Sequence, residues 1–184
     1  MVSFEIEIVA MFASPLFGVL AAFTVNTAYQ RMKLHNRVKS ILPYLYFEMA
    51  LNQYLANDCL RENPEKFVRE RKRFDTTHWD LLKANFGKWS PIDTTSLAKV
   101  YYHLKRANWL LSKDPAARDG CVTHSVNIAE QLMKELTGSL KVYFNSNPKV
   151  ENKKEKVRKQ FEKTAKFDSD LNEALKRLDQ PCRC

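Results

Sequence analysis

A chain of 184 residues has room for one domain of about 150 residues and one appended segment, and its four Gly and seven Pro leave few places for helices to break. Thirty Lys and Arg against 21 Asp and Glu give a net charge of +9, with every basic residue at or after Arg31. The four cysteines, at 59, 121, 182 and 184, have neither C-x-x-C nor zinc-knuckle spacing, which excludes a dense disulfide scaffold and a zinc ribbon.

The first element is the uncharged run Ile8–Gln30. Wound as a helix, Ile8–Ala28 measures roughly 31 Å, close to the hydrocarbon thickness of a bilayer. Its start, Met1–Glu7, is acidic, and its exit, Val25–Tyr29, has no small-residue cleavage site. Both features argue against a cleaved signal peptide. A core helix of a soluble bundle is the competing reading, because Ser14, Pro15, Thr24, Asn26 and Thr27 dilute the run. The expectation is a transmembrane helix, bent by Pro15 in its outer third.

Arg31, Lys33, Arg37 and Lys39 follow the run and no basic residue precedes it. The positive-inside rule therefore places the N-terminus outside and the rest of the chain in the cytoplasm, against an anionic inner leaflet. Ala10, Ser14, Gly18 and Ala22 recur every fourth residue and Asn26 continues the row. Small residues so spaced let two helices approach closely and a terminal polar residue can bond across the contact, so homo-oligomers are expected along this face.

Pro43 predicts a bend near Leu42. Beyond it, Leu45, Met49, Asn52, Ala56 and Cys59 form one stripe and Phe47, Leu51, Tyr54 and Asp58 a second. A helix apolar on most sides belongs at the centre of a bundle or in an interface. Glu48 and Asn52 are its polar pair, at i and i+4. Glu48 could act as a general acid or base, but without a second ionisable partner at a recognisable spacing a register-fixing hydrogen bond is the better reading.

Asn63-Pro64 has the form of a cap followed by proline at the first helical turn, opening a segment Glu65–Phe74 that ends in Arg69, Arg71, Lys72 and Arg73. Asp75-Thr76-Thr77 caps the next helix, with Thr77-x-x-Asp80 resembling a capping box, Trp79, Leu82 and Phe86 as its apolar side, and Gly87 as its stop. His78 has no second His or Cys at metal spacing. After the connector Trp89–Ile92, Asp93–Ser96 caps a helix Leu97–Ser112 with the stripe Leu97, Val100, Tyr101, Leu104, Asn108 and Leu111, His103 facing away. Lys113-Asp114-Pro115 ends it. Val122–Leu136 makes another amphipathic helix, stopping at Gly138 or running on to Phe144, and Asn145–Pro148 is a loop. Glu151–Asp179 reads as the longest soluble helix, its seam Val157, Phe161, Thr164, Asp168, Leu171, Leu175 and Leu178. The tail ends in Cys182-Arg-Cys184.

No Walker A loop, G-x-G-x-x-G, G-x-S-x-G or H-E-x-x-H is present, and the four His are scattered. These features predict no enzyme, no cofactor and no metal site. The aromatic residues sit on apolar stripes rather than among the basic residues, which disfavours nucleic acid as a partner.

The order of an anchor, a basic collar, a helix with the Glu48-x-x-x-Asn52 step and a capped helix with Trp79 loosely resembles single-span bacterial and archaeal membrane proteins of uncharacterised activity. The resemblance covers about residues 8–112 and implies no activity.

The sequence thus predicts an all-α protein: a transmembrane anchor (1–30), a helical bundle (31–148), and a basic amphipathic C-terminal helix with its Cys tail (149–184), about five cytoplasmic helices in all. The expected role is a single-pass, membrane-anchored interaction or scaffold module, oligomeric and non-catalytic, whose partners are membrane lipids, further copies of itself and a protein. Two other roles fit the same residues: a membrane effector whose anchor oligomerises to perturb the bilayer, and a soluble, basic nucleic-acid-binding helical protein.

Overall fold

The computed structural model describes residues 2–61, 66–67, 70, 72–83, 93–113, 119–166 and 168–179, with side chains from residue 17 onward except those of Asp119 and Asp179. Six helices account for nearly all of them: α1 Val2–Arg61, α2 Thr77–Lys83, α3 Thr94–Lys113, α4 Asp119–Asn145, α5 Pro148–Ala165 and α6 Ser169–Asp179. There is no strand among the described residues, so the all-α expectation holds. The chain divides into two compact units, Met1–Arg37 and Val38–Cys184.

In the first unit α1 exposes large apolar side chains all round: Phe17, Val19, Leu20, Phe23, Val25, Tyr29 and Met32 are each more than half exposed. Thr24 and Thr27 turn their hydroxyls back onto the helix, donating to the carbonyls of Leu20 and Phe23 at 2.6 and 2.7 Å. Among the described residues no helix is long and apolar enough to cross a membrane. The expected transmembrane helix is therefore not supported: from Phe17 onward the run is diluted by Thr24, Asn26 and Thr27 and closed by the charges of Arg31 and Lys33. The other half, Ile8–Leu16 with Ala10, Ser14 and Pro15, lies outside the described side chains.

In the second unit the stripe read from the sequence is the core. Leu45, Met49, Asn52 and Ala56 are fully buried and Cys59 nearly so, and Pro43 does not end the helix. A proline inside a helix removes one donor and is tolerated where packing compensates; Leu42 and Leu45 beside it are both fully buried. Aromatic contacts join α1 to its neighbours, Tyr46 edge-on to Phe144 of α4 and Phe47 stacked on Phe161 of α5. α3 packs along α4, which runs unbroken past Gly138 as far as Asn145.

Two expectations are corrected. Glu151–Asp179 is not one helix but two, because Asp168 acts as a cap: its Oδ1 accepts from the backbone N–H groups of Asp170 and Leu171 at 3.0 Å each. Thr164 and Asp168, the polar members of the expected seam, are exposed at the turn between α5 and α6. Second, Lys72–Phe74, expected to finish one helix, has no helical turn. The backbone groups of Phe74 and Asp75 are taken by side chains instead. The Asn63-Pro64 cap, the Gly87 stop, the Trp89–Ile92 connector, Asp114-Pro115 and the Cys182/Cys184 tail lie outside the described residues.

Candidate functional site

The polar centre of the second unit is the segment 72–83, held between α1 and α3. Two asparagines grip consecutive peptide units. Asn52 of α1 donates from Nδ2 to the Asp75 carbonyl at 2.6 Å and accepts the Asp75 N–H on Oδ1 at 2.7 Å. Asn108 of α3 does the same to Phe74, 2.9 Å to its carbonyl and 3.0 Å from its N–H. A primary amide carries a donor and an acceptor side by side, so each Asn pairs with one residue's backbone as a neighbouring strand would. A non-helical segment inside a helical bundle has no ladder to satisfy it. The clamps supply that need.

Glu48, one turn before Asn52, is 1% exposed. Its Oε2 accepts from the His78 backbone N–H at 2.6 Å and lies 2.9 Å from His78 Nδ1, and its Oε1 accepts the Tyr101 hydroxyl at 2.6 Å. Burial and then the Glu48 charge hold the Tyr101 phenol well above its ordinary pKa, so it stays protonated and donates. The His78 ring stacks on Tyr44, centroids 5.3 Å apart, and Tyr44 in turn donates to Gln160 Oε1 of α5. Trp79 lies flat on Tyr101 at 5.1 Å. Asp75 caps α2, its Oδ1 accepting from the N–H and hydroxyl of Thr77 at 2.9 and 2.7 Å. The Thr77-x-x-Asp80 capping box does not form; Asp80 pairs with Lys83 and Lys105 instead.

Glu48, Asp75 and His78 each offer a ligand atom, all within 4.8 Å of one another. Their donor set would suit a divalent ion, but the contacts are already hydrogen bonds. Two ligands of a tetrahedral zinc at about 2.1 Å stand roughly 3.4 Å apart, whereas Oε2 and Nδ1 are 2.9 Å apart, and Glu48 already receives three donors. The cluster fits a proton and peptide groups better than a metal.

A second polar group holds the start of the segment. Lys72 pairs with Asp58 of α1, with Glu70 at 2.9 Å and with Asp170 of α6 at 3.8 Å. Burial opposes its charge, but the hydrogen bonds to Asp58 and Glu70 and the nearby Asp170 outweigh that, so its pKa rises above the ordinary lysine value. Burial pushes the Asp170 carboxyl up, with Lys72 pulling against it.

Of the residues singled out in the sequence, Glu48 and Asn52 are both buried, and Asn52 bonds to Asp75 while Glu48 bonds to His78 and Tyr101, rather than to each other. Gly18, Ala22 and Asn26 are exposed on α1, with Ala10 and Ser14 outside the described side chains; Arg31, Lys33 and Arg37 are exposed and Lys39 half-buried. His103 does not face away: it is half-buried, its Nδ1 has no hydrogen-bond partner among the described residues, and burial, then Arg106 and His124, lower its pKa. The sequence reading missed His78 and Asn108. For Asn108 there was a signal, an amide in an otherwise apolar stripe. For His78 there was none, because its partner lies 30 residues away. No protein-family model matches the chain, and no curated protein or solved structure is significantly similar to it.

Proposed function

We propose that the chain is a membrane-anchored, non-catalytic helical module, with its N-terminus outside and its bundle on the cytoplasmic face, self-associating through the anchor. One observation carries this reading: α1 from Phe17 to Met32 exposes large apolar side chains on every side, continuing a run that is uncharged from Ile8. Exposure of that extent is costly in water and ordinary in lipid. Thr24 and Thr27 satisfy their hydroxyls on their own helix, as polar side chains within hydrocarbon must. The collar Arg31, Lys33, Arg37 and Lys39 supplies the charge asymmetry that favours a cytoplasmic bundle. A non-catalytic role is supported by the closed geometry at Glu48, whose carboxylate is committed to His78 and Tyr101.

Membrane fractions holding the full chain test the anchor: detergent should release it, while high salt or alkaline carbonate should not. Release by salt alone overturns the reading. Orientation is read with a Ser3→Cys variant and an impermeant maleimide. The introduced thiol should label on intact cells, and the exposed Cys121 only after permeabilisation. For self-association, Gly18→Ile is informative because a Cβ at Gly18 meets nothing within 4 Å, so lost association in a membrane two-hybrid assay reports a contact between chains.

A further inference from the structure

Away from the Glu48 cluster, α1, α4, α5 and α6 enclose a half-open cleft of about 260 Å³. Its charged lining is entirely cationic: Lys141 of α4, with Lys154 and Arg158 one turn apart on α5. Its floor is Tyr46 and Phe47 of α1, both buried, and its far wall is Leu175 and Leu178 of α6. Among the described residues no carboxylate lines it. We infer that this cleft binds a small phosphate-bearing amphiphile, its phosphoryl oxygens on Lys141, Lys154 and Arg158 and its apolar part against the leucines of α6.

Each part of the cleft limits the ligand. The Lys154 side chain is only 14% exposed, with its ammonium 5.5 Å from the Phe144 ring centroid and 5.9 Å from that of Tyr46. Two aromatic faces and Glu151 at 2.7 Å fix the cation before any ligand arrives, so little side-chain entropy remains to be lost on binding. Arg158 carries the planar guanidinium that suits phosphoryl oxygens, and its Nε already pairs with Glu162 at 2.9 Å. Lys141 is exposed and comes from a different helix, so the three cations approach from two elements. Three donors of one sign match a tetrahedral oxyanion better than a single carboxylate. The aromatic and aliphatic floor excludes water behind the anion and favours a ligand with an apolar end. The volume admits a headgroup with the first carbons of its chain.

Such a phosphoryl group could come from a phospholipid or from a free phosphate ester, and the cleft distinguishes them by its apolar wall. The full chain in a neutral maltoside detergent, titrated calorimetrically, separates the two sources and does not depend on the anchor reading. The probes are dihexanoyl phosphatidic acid below its micelle concentration, inorganic phosphate, and dihexanoyl phosphatidylcholine. The expected result is saturable binding of phosphatidic acid, at least tenfold weaker binding of the other two, and a tenfold or greater loss in Lys141→Glu/Arg158→Glu. Lys141 is exposed and Arg158 half-buried, and an unchanged melting temperature shows that the fold is intact. Lys141→Arg/Arg158→Lys should retain binding within about threefold. Equal binding of phosphate and phosphatidic acid, lost in the charge-reversed variant, keeps the anion site but overturns the lipid assignment. No saturable binding of either anion, or binding that the charge reversal leaves unchanged, overturns the site itself.

Discussion

Replacing Asn52 by alanine isolates what the clamp on Asp75 contributes. The Asn52 side chain is fully buried and makes both of its strong bonds, at 2.6 and 2.7 Å, to one peptide neighbour. Truncation leaves the Asp75 N–H and carbonyl without those partners. Each buried backbone group so orphaned costs about 1–3 kcal/mol. Asp75 is half-buried, so water recovers part of the loss, and about 3 kcal/mol is expected for the pair. Against a total stability of roughly 5–15 kcal/mol for a domain, that is a large fraction. The assay is urea unfolding of the full chain in detergent, followed by helical circular dichroism, with the midpoint falling at unchanged slope. Hydrogen exchange adds a local reading: the Asp75 amide should lose most of its protection while the amides of α4 keep theirs. Adding Asn108→Ala should cost less than the two single changes summed, because both clamps hold adjacent residues of one segment. A loss below about 0.5 kcal/mol for Asn52→Ala, the range of ordinary surface substitutions, would refute the reasoning.

Other outcomes follow from the same geometry. Glu48→Gln should destabilise by about 1–3 kcal/mol, because its new amide donor must face either the Tyr101 hydroxyl or the His78 N–H, both of which already donate to this site; urea midpoints measure it. Tyr101→Phe removes one donor from the Glu48 carboxylate and part of the contact with Trp79 survives, so a smaller loss, about 1–2 kcal/mol, is expected by the same assay. Lys72→Met leaves Asp58, Glu70 and Asp170 facing one another, and nuclear magnetic resonance titration should find the Asp170 carboxyl pushed higher still. His103 binds its proton less readily folded than unfolded, its pKa lying below the ordinary 6.5. The unfolded chain therefore takes up the proton first as pH falls below about 6.5, and stability declines toward the folded pKa. In His103→Gln that decline should be shallower, measured as melting temperature against pH.

Much of the bundle was legible because burial follows period. Leu45, Met49 and Ala56, or Leu97, Val100 and Leu104, recur at helical spacing and occupy the core they predict. Glu48 and Asn52 stood out as polar groups on a face otherwise apolar, and burial of both followed. What they bond to was not legible. A sequence pattern records which face a side chain occupies, and not which distant backbone reaches it; Phe74 to His78 reach that face only in the folded chain. Local signals also compete. Thr164 and Asp168 kept the spacing of a seam, but Asp is a stronger cap than a core residue, and the helix ended there. The first helix is the opposite case: its hydropathy is plain in the sequence from Ile8 to Gln30, yet among the described residues no helix is long and apolar enough to cross a membrane.

The two asparagine clamps also decide which of several near-equivalent arrangements the bundle adopts. Apolar stripes are forgiving: slide α1 by one turn, about 5.4 Å, and most leucines find other leucines. An amide does not. After such a slide Asn52 would miss Asp75 altogether, leaving its own two polar groups and those of Asp75 unmatched at once. Alignment of α1 with the 74–75 peptide is thus set like a key cut to one depth, and Asn108 checks the same depth from α3. A bundle rebuilt with leucine at both positions would keep its oil and lose its means of counting turns.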